Sequence, residues 1–254
     1  PAQLYCNRRR APAQYGLIPR AHRITPHCRA DTRRVFCLMR SNTLSAEQKR
    51  TLSAERRSYG LLSRVLFLGM DLVYGKRRTL SKFKVLEVIA RVPYQAWEHV
   101  AYIAMTHNYS EPGFARRVYG FIKESRDQQD NEQWHLLILE ELIERDGIRE
   151  NFTLYRIMPQ LAAFGYYHVS WLLYVIDPRL SYRLNADFED HAEHEYMEFV
   201  RENEARLEKQ PFKSDFERDY GTFSSRADLF RQIGLDERRH KLESLARMEN
   251  PHFT

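Results

Sequence analysis

Asn131-Glu132-Gln133-Trp134-His135 and Asp236-Glu237-Arg238-Arg239-His240 each set a glutamate three residues ahead of a histidine. On a helix that spacing turns both side chains to one face, about a turn apart. Two more glutamates, Glu87 and Glu189, stand alone in helical stretches upstream of the two motifs. The order along the chain is Glu, Glu-x-x-His, Glu, Glu-x-x-His. A four-helix bundle that holds two iron ions in its core uses this set: a glutamate from each of two helices and a Glu-x-x-His from each of the others.

The spacing alone is weak, because Glu-x-x-His arises by chance in a chain of this composition. The surroundings strengthen it. Glu87 lies within Val85-Leu86-Glu87-Val88-Ile89-Ala90, and His135 runs into Leu136-Leu137-Ile138-Leu139. An unpaired carboxylate in an apolar stretch is costly, and a cation offsets that cost. Oxygen and imidazole donors suit iron or manganese better than thiolate-preferring metals. Two ferrous ions would neutralise four carboxylates.

Around these residues the pattern is helical, with almost no strand-like alternation. Ser45-Ala46-Glu47-Gln48 reads as a capping box that opens a helix to about Tyr74. Further helices are expected over about 80–108, kinked at Pro93, and over about 113–146, stopped by Gly147. Others follow over about 152–176, 179–208 and 226–247, with a polar loop at 209–225. Glu87 and Glu132, and again Glu189 and Glu237, are separated by intervals that suit a helical hairpin. The expected fold is all-α: a ferritin-like four-helix bundle with two additional membrane-surface helices. Residues 45–254 form the helical domain and residues 1–44 an extended basic N-terminal arm.

The chain has 254 residues and a formal charge of +6, concentrated at its start: residues 1–40 hold nine arginines and one acid, Asp31. An Arg-rich, acid-poor beginning resembles the remnant of an organellar transit peptide, and no secretory signal is visible. Cys6, Cys28 and Cys37 all lie in the arm. Their odd number, without Cys-x-x-Cys, argues against a disulfide framework or zinc site and for a reducing compartment. A polar basic arm orders on a surface, so a protein partner is expected through residues 1–44. No nucleic-acid partner is expected.

The longest apolar run, Leu161 to Ile176, spans about 24 Å as a helix, short of a bilayer core of about 30 Å. It suits a helix lying in one leaflet or one buried in protein. The segment Leu61 to Val73 has an apolar middle flanked by Arg56, Arg57, Lys76, Arg77 and Arg78. That pattern fits an interfacial helix near anionic lipid; a core helix with solvated ends fits equally.

Four segments, Leu86-Glu87-Val88, Asn131 to Leu136, Phe188-Glu189-Asp190-His191-Ala192 and Asp236 to His240, resemble the signature boxes of the alternative oxidase family. The resemblance runs from about residue 60 to 246. Its wording is nearest the plastid terminal oxidase branch, through Val85 to Tyr94, Leu136 to Leu142 and Asp177-Pro178-Arg179. The resemblance implies a di-iron quinol oxidase on a membrane surface, which takes electrons from ubiquinol or plastoquinol and reduces dioxygen to water. By position, Glu132 and Glu237 would bridge the irons, Glu87 and Glu189 would bind terminally, and His135 and His240 would be ligands or close supports. Asn131 and Asp236 would orient the histidines. Tyr196, two helical turns after Glu189, matches the family's redox tyrosine. Lys82 stands where an arginine near the quinol headgroup is usual, and lacks its planar fork. His191 stands where mitochondrial members carry a glutamate, and is grouped with Lys82 at the quinol side.

The resemblance implies an organelle membrane surface. The short loop after the fifth helix and the basic arm favour the matrix side of the mitochondrial inner membrane. The box wording favours the stromal side of the thylakoid. A homodimer is compatible with the sequence. Two other readings stand beside the oxidase: an oxidase-like structural subunit docked in a larger membrane complex, and a ferritin-like ferroxidase or hydroxylase. The second gives no reason for two apolar helices with basic flanks.

Overall fold

The computed structural model describes residues 30–251. Residues 1–29, with Cys6, Cys28 and the targeting-like part of the arm, lie outside the described residues. The described chain is a helical bundle: α1 (Ala30–Ser53), α2 (Leu61–Tyr74), α3 (Leu80–Ala90), α4 (Val92–His107), α5 (Pro112–Arg145), α6 (Met158–Ile176), α7 (Pro178–Leu207) and α8 (Arg226–Glu249). Among the described residues there is no strand.

Two hairpins make the centre of the bundle. In the first, α3 and α4 return along α5; in the second, α7 packs along α8. Helix α3 is buried from Ser81 to Glu87 because α5, α6 and α7 surround it. Thr79 starts it by accepting the Lys82 N–H at 3.2 Å. Pro93 has no N–H to give the Ile89 carbonyl and its ring crowds that turn. The helix axis therefore breaks at Arg91, as the sequence predicts, and α4 begins. Helix α5 stops at Gly147, whose φ of 64° is left-handed. Gly147 N–H bonds Glu144 O at 3.0 Å and Ile148 N–H bonds Ile143 O at 3.0 Å, which closes a Schellman turn. Asp177 and Ser225 cap α7 and α8 by accepting N–H groups of Arg179 and Asp228. Between α7 and α8 the backbones come close at Gly234, where a Cβ would meet Met197 Cε at 2.9 Å.

Two expectations are corrected. Ser45 does not open a helix: α1 begins at Ala30 and runs through it, so residues 30–44 are helical rather than extended. The second half of this helix stays hidden in the sequence because, beside Leu44, its described buried residues are polar. Gln48 donates to Met197 O at 3.1 Å, and Thr51 to Glu193 Oε1 at 2.7 Å. Arg238 reaches Glu47 at 2.5 Å. Nor does one helix run from 45 to 74; it breaks between Ser53 and Leu61. There Arg57 N–H and Gly60 N–H donate to Asp190 and Asp187 of α7, at 3.0 and 2.8 Å, instead of to carbonyls of their own turn.

Helix α6 is preceded by a π turn, Thr153–Ile157. Pro159 cannot donate to the Tyr155 carbonyl, and the turn before it widens so that Met158 N–H reaches Thr153 O. Helices α2 and α6 leave apolar side chains bare. Leu61, Val65, Leu68 and Leu72 are exposed on α2, and Leu161, Phe164, Leu172, Val175 and Ile176 on α6. Among the described residues no helix is long and apolar enough to cross a membrane.

Candidate metal centre

Helices α3, α5, α7 and α8 aim Glu87, Glu132, His135, Glu189, Glu237 and His240 at one point. Each of the six is at most 2% exposed. Their donor atoms fall into two groups of four, Glu87–Glu132–His135–Glu237 and Glu132–Glu189–Glu237–His240, with the atoms of each group within 4.8 Å of one another. Glu132 and Glu237 belong to both groups. Each hairpin thus supplies three residues to its own half of the centre and lends one glutamate to the other half.

His135 Nδ1 faces three carboxylates, at 3.3 Å from Glu87, 3.3 Å from Glu237 and 3.6 Å from Glu132. Its Nε2 lies 3.5 Å from Asp236 Oδ2. Asp236 in turn accepts the Tyr220 hydroxyl at 2.8 Å. A ring with one nitrogen toward clustered acids and the other toward a carboxylate has the usual stance of a metal-ligating histidine. His240 Nδ1 comes to 2.6 Å from Glu132 Oε1, yet neither atom points along a hydrogen bond.

Both oxygens of Glu132, both of Glu237, Oε2 of Glu189 and both ring nitrogens of His240 lack a hydrogen-bond partner. Removing an ionised carboxylate from water costs on the order of several kcal/mol when nothing replaces the water. Among the described residues no lysine or arginine pairs with the four glutamates. A neighbouring acidic trio provides the contrast. Asp190, Glu193 and His194 also cluster within 4.8 Å. Lys241 bonds both of those acids, at 2.9 and 2.5 Å, and Arg238 bonds Glu193 at 2.8 Å. The trio is neutralised by side chains, whereas the six-residue cluster has, among the described residues, only its own two histidines as potential cations. Two divalent ions fit its donor set of carboxylate oxygens and imidazole nitrogens.

Electrostatics inside the cluster follow from this crowding. Burial, and then the neighbouring glutamates, push the carboxyls of Glu87, Glu189 and Glu237 above their ordinary range. Burial also acts on Glu132, but the imidazoles of His240 and His135 outweigh it and hold that carboxyl low. His240 is raised against the effect of burial by Glu132.

Two tyrosines close the ends. Tyr196 of α7 donates to Glu87 Oε1. Tyr94 of α4 donates to Glu189 Oε1 at 2.7 Å and accepts from Asn185 at 3.0 Å. Tyr94 and Tyr220 were not among the residues singled out in the sequence. For Tyr94 a signal existed: it follows Glu87 by seven residues, the interval by which Tyr196 follows Glu189. Tyr220 lies in the irregular segment before α8, where no helical spacing ties it to Asp236.

Of the other sequence candidates, Asp236 stands against His135. Asn131, its counterpart, is half-buried and accepts from Arg239 at 3.3 Å. Lys82 and His191 belong to a separate group on the α2 side. Lys82 Nζ bonds Asp71 Oδ1 at 2.6 Å and Gly75 O at 2.8 Å. His191 stacks on Phe67 with ring centroids 4.0 Å apart. Burial draws its imidazole down to about 4.

Comparison with known proteins agrees with this geometry. The sequence profile described as alternative oxidase matches residues 39–242. The chain is 31% identical over 173 residues to ubiquinol oxidase 4, chloroplastic/chromoplastic, of Arabidopsis thaliana, covering 68% of this chain and 46% of that protein. It is 25% identical over 130 residues to the mitochondrial ubiquinol oxidase 2 of Arabidopsis thaliana, covering 51% and 33%. It is likewise 25% identical over 143 residues to that of Glycine max, covering 56% and 39%. The chain spans less than half the length of these relatives. The profile nevertheless takes in every helix that lines the cluster, and the chain belongs to the alternative oxidase family.

Proposed function

We propose that this protein is a quinol:oxygen oxidoreductase whose core holds two iron ions. The observation that carries the reading is the set of buried, unpartnered carboxylate and imidazole atoms on Glu132, Glu237, Glu189 and His240. A metal-free scaffold would give no account of them. Bound iron supplies the electron transfer to dioxygen that side chains lack.

In this reading Glu132 and Glu237, common to both groups, would each serve both ions, Glu87 and His135 would complete one donor set, and Glu189 and His240 the other. Asp236 fixes the His135 ring, with Tyr220 fixing Asp236 in turn. Tyr196 keeps its phenol proton against Glu87. Burial, and next the Glu87 charge, raise that phenol well above its ordinary value, so Tyr196 would stand protonated beside the centre as a source of a proton and an electron.

The relatives' names are those of ubiquinol oxidases, and a quinol is the proposed reductant here. The bare apolar faces of α2 and α6 support docking in one leaflet, from which a lipid-soluble quinol can enter. Lys82 and His191, beneath α2, are proposed to meet its headgroup. The relatives bear both chloroplastic and mitochondrial names, and the proposed site of action is the organelle membrane surface common to both.

The test is Glu132→Ala in the full chain, with iron measured per protein and quinol-driven oxygen uptake followed in the presence of cyanide. Both iron and uptake should be lost. Normal uptake by the variant would overturn the assignment.

A further inference from the structure

The two tyrosines at the ends of the centre stand in different company. Tyr196 stacks on Phe83 at 4.2 Å and lies 6.3 Å from Phe230. Phenylalanine rings are too hard to oxidise to pass a hole onward, so the path from Tyr196 ends there. Tyr94 touches Trp97, with centroids 5.2 Å apart and rings edge to face. Trp97 lies 4.7 Å from Tyr182, and Tyr182 lies 5.5 Å from Tyr174. The hydroxyls of Tyr182 and Tyr174 are 3.0 Å apart. All four rings are at most 4% exposed. Tyr174 sits on α6 next to Val175, which is 53% exposed. The cluster could have been built from phenylalanine and leucine with no hydroxyl to satisfy. It is built instead from the two aromatic side chains that one-electron oxidants attack.

We infer that Tyr94, Trp97, Tyr182 and Tyr174 form a relay that carries an oxidising hole outward from the metal centre to the buried side of α6, and so discharges the oxidised centre when quinol is scarce. The inference rests on the proposed oxidase reading, because dioxygen acting at the metal centre is the oxidant. In the first step the Tyr94 O–H bond breaks. Its electron reduces the centre by one and its proton passes to Glu189 Oε1, 2.7 Å away. Trp97 then gives an electron to the Tyr94 phenoxyl, and the same proton returns from Glu189. The indole cation keeps its N–H, which donates to Ser181 Oγ at 2.8 Å.

Tyr182 reduces Trp97 and releases its phenol proton to solvent by way of Glu124, an exposed acid whose charge acts on that phenol and which pairs with Arg247 at 2.6 Å. Burial lifts both phenols, Tyr174 to about 12, so neither ionises ahead of electron loss. A hydrogen atom then crosses from Tyr174 to Tyr182 along their 3.0 Å contact. Quinol arriving later at the α6 face restores Tyr174. In sum the centre gains one electron, one proton is released, and quinol later returns one hydrogen atom to Tyr174, so the ligands are spared oxidation.

The experiment uses the full chain loaded with ferrous iron and exposed to dioxygen without quinol. Paramagnetic resonance follows the radicals, with ring-deuterated tyrosine or tryptophan to identify them. Peptide mass spectrometry then maps oxidised side chains. The relay predicts a tyrosyl signal and oxidation at Tyr182 and Tyr174. Trp97→Phe should abolish both and move oxidation to residues around the metal. Tyr182→Phe removes one hydroxyl, with less risk to folding, and should abolish the Tyr182 signal and slow the passage of the hole, which then reaches Tyr174 only across the 6.3 Å Trp97–Tyr174 contact. It should keep quinol-driven uptake, since Tyr182 does not touch the centre. An unchanged radical and oxidation map in both variants, or a radical confined to Tyr196, overturns the relay while leaving the oxidase standing. A wild-type chain that binds no iron overturns both.

Discussion

The α3–α5 hairpin and the α7–α8 hairpin carry the same donors in the same order, yet their surroundings are only partly alike. Each ends its half of the centre with a tyrosine from the other: Tyr196 of the second holds Glu87 of the first, and Tyr94 of the first holds Glu189 of the second. The exchange stops at the histidines. Neither His135 Nε2 nor His240 Nε2 makes a hydrogen bond, but Asp236 stands 3.5 Å from His135 Nε2, whereas its counterpart Asn131 is taken by Arg239. A two-fold ligand pattern therefore does not make two equal metal positions. The near symmetry sets the donor count, and the residues behind the donors set how firmly each half is held.

The largest effect should separate shared from unshared glutamates. Glu237→Ala removes a donor from both groups and should bring bound iron to near none. Glu189→Ala removes a donor from one group and should leave about one ion per chain if the halves load separately, as their separate donor sets imply. Elemental analysis of both variants reads this directly. Equal loss from both would show that the halves form as a unit and that the shared pair is not special.

With quinol supplied, the tyrosines should differ by kind rather than degree, because the Tyr94 relay carries electrons only when quinol is scarce. Tyr196→Phe removes the proposed electron and proton donor and should lower kcat by about 10²–10⁴, the usual worth of a placed proton donor. Iron content should hardly change. Tyr94→Phe removes a hydrogen bond to Glu189 and should instead weaken iron binding by about 10-fold. A titration of iron into each variant, with oxygen uptake at saturating metal, distinguishes them. If Tyr94→Phe has the larger kinetic effect at full loading, the roles of the two ends are reversed.

How much of this could be read from the residues depended on whether regular spacing carried the information. Within each Glu-x-x-His pair the spacing is helical and between the glutamates it suits a hairpin, and all six residues meet in the structure. The kink at Pro93 and the stop at Gly147 follow from ring geometry and a left-handed φ, which are local. In α1, Gln48, Thr51 and Glu47 pack by hydrogen bonds, and one buried leucine, Leu44, among them makes no apolar stripe to see. Asn131 looked equivalent to Asp236 because each precedes a motif glutamate. Arg239 claims it only once α5 and α8 lie side by side. Tyr94 was legible in principle from its interval after Glu87, but its partner lies on the other hairpin, 95 positions away.

The histidine supports give a smaller contrast. Asp236→Asn should lower iron affinity by about 10-fold to 100-fold, since the carboxylate behind a ligating imidazole fixes its ring and raises its basicity. Asn131→Ala should do much less, because its partner Arg239 is a half-exposed side chain. Competition with a chelator of known strength measures both. A loss at Asn131 equal to that at Asp236 would restore the symmetry the contacts deny.

The smallest effect concerns how the hairpins are fastened far from the metal. Asp146, just past α5, accepts two bonds from Arg226 at the start of α8, at 2.7 and 2.8 Å. Along the helices this clasp lies about 16–21 Å from the shared glutamates. The Arg226 hydrogen bonds hold the Asp146 carboxyl below its ordinary value, against a smaller opposing effect of burial. A depressed folded-state pKa means the clasp stabilises the fold above the unfolded value of ~3.9. That contribution is lost as pH falls through the lower folded value. Asp146→Asn should therefore destabilise by about 0.5 kcal/mol at neutral pH, after allowing for solvent screening, or about 1–2 °C in Tm for a chain of this size. The difference from wild type should vanish in acid, and iron content should be unaffected at either pH. If the variant instead lost iron at neutral pH, the two hairpins would be coupled through their far ends, and the centre's asymmetry could no longer be assigned to the side chains that touch it.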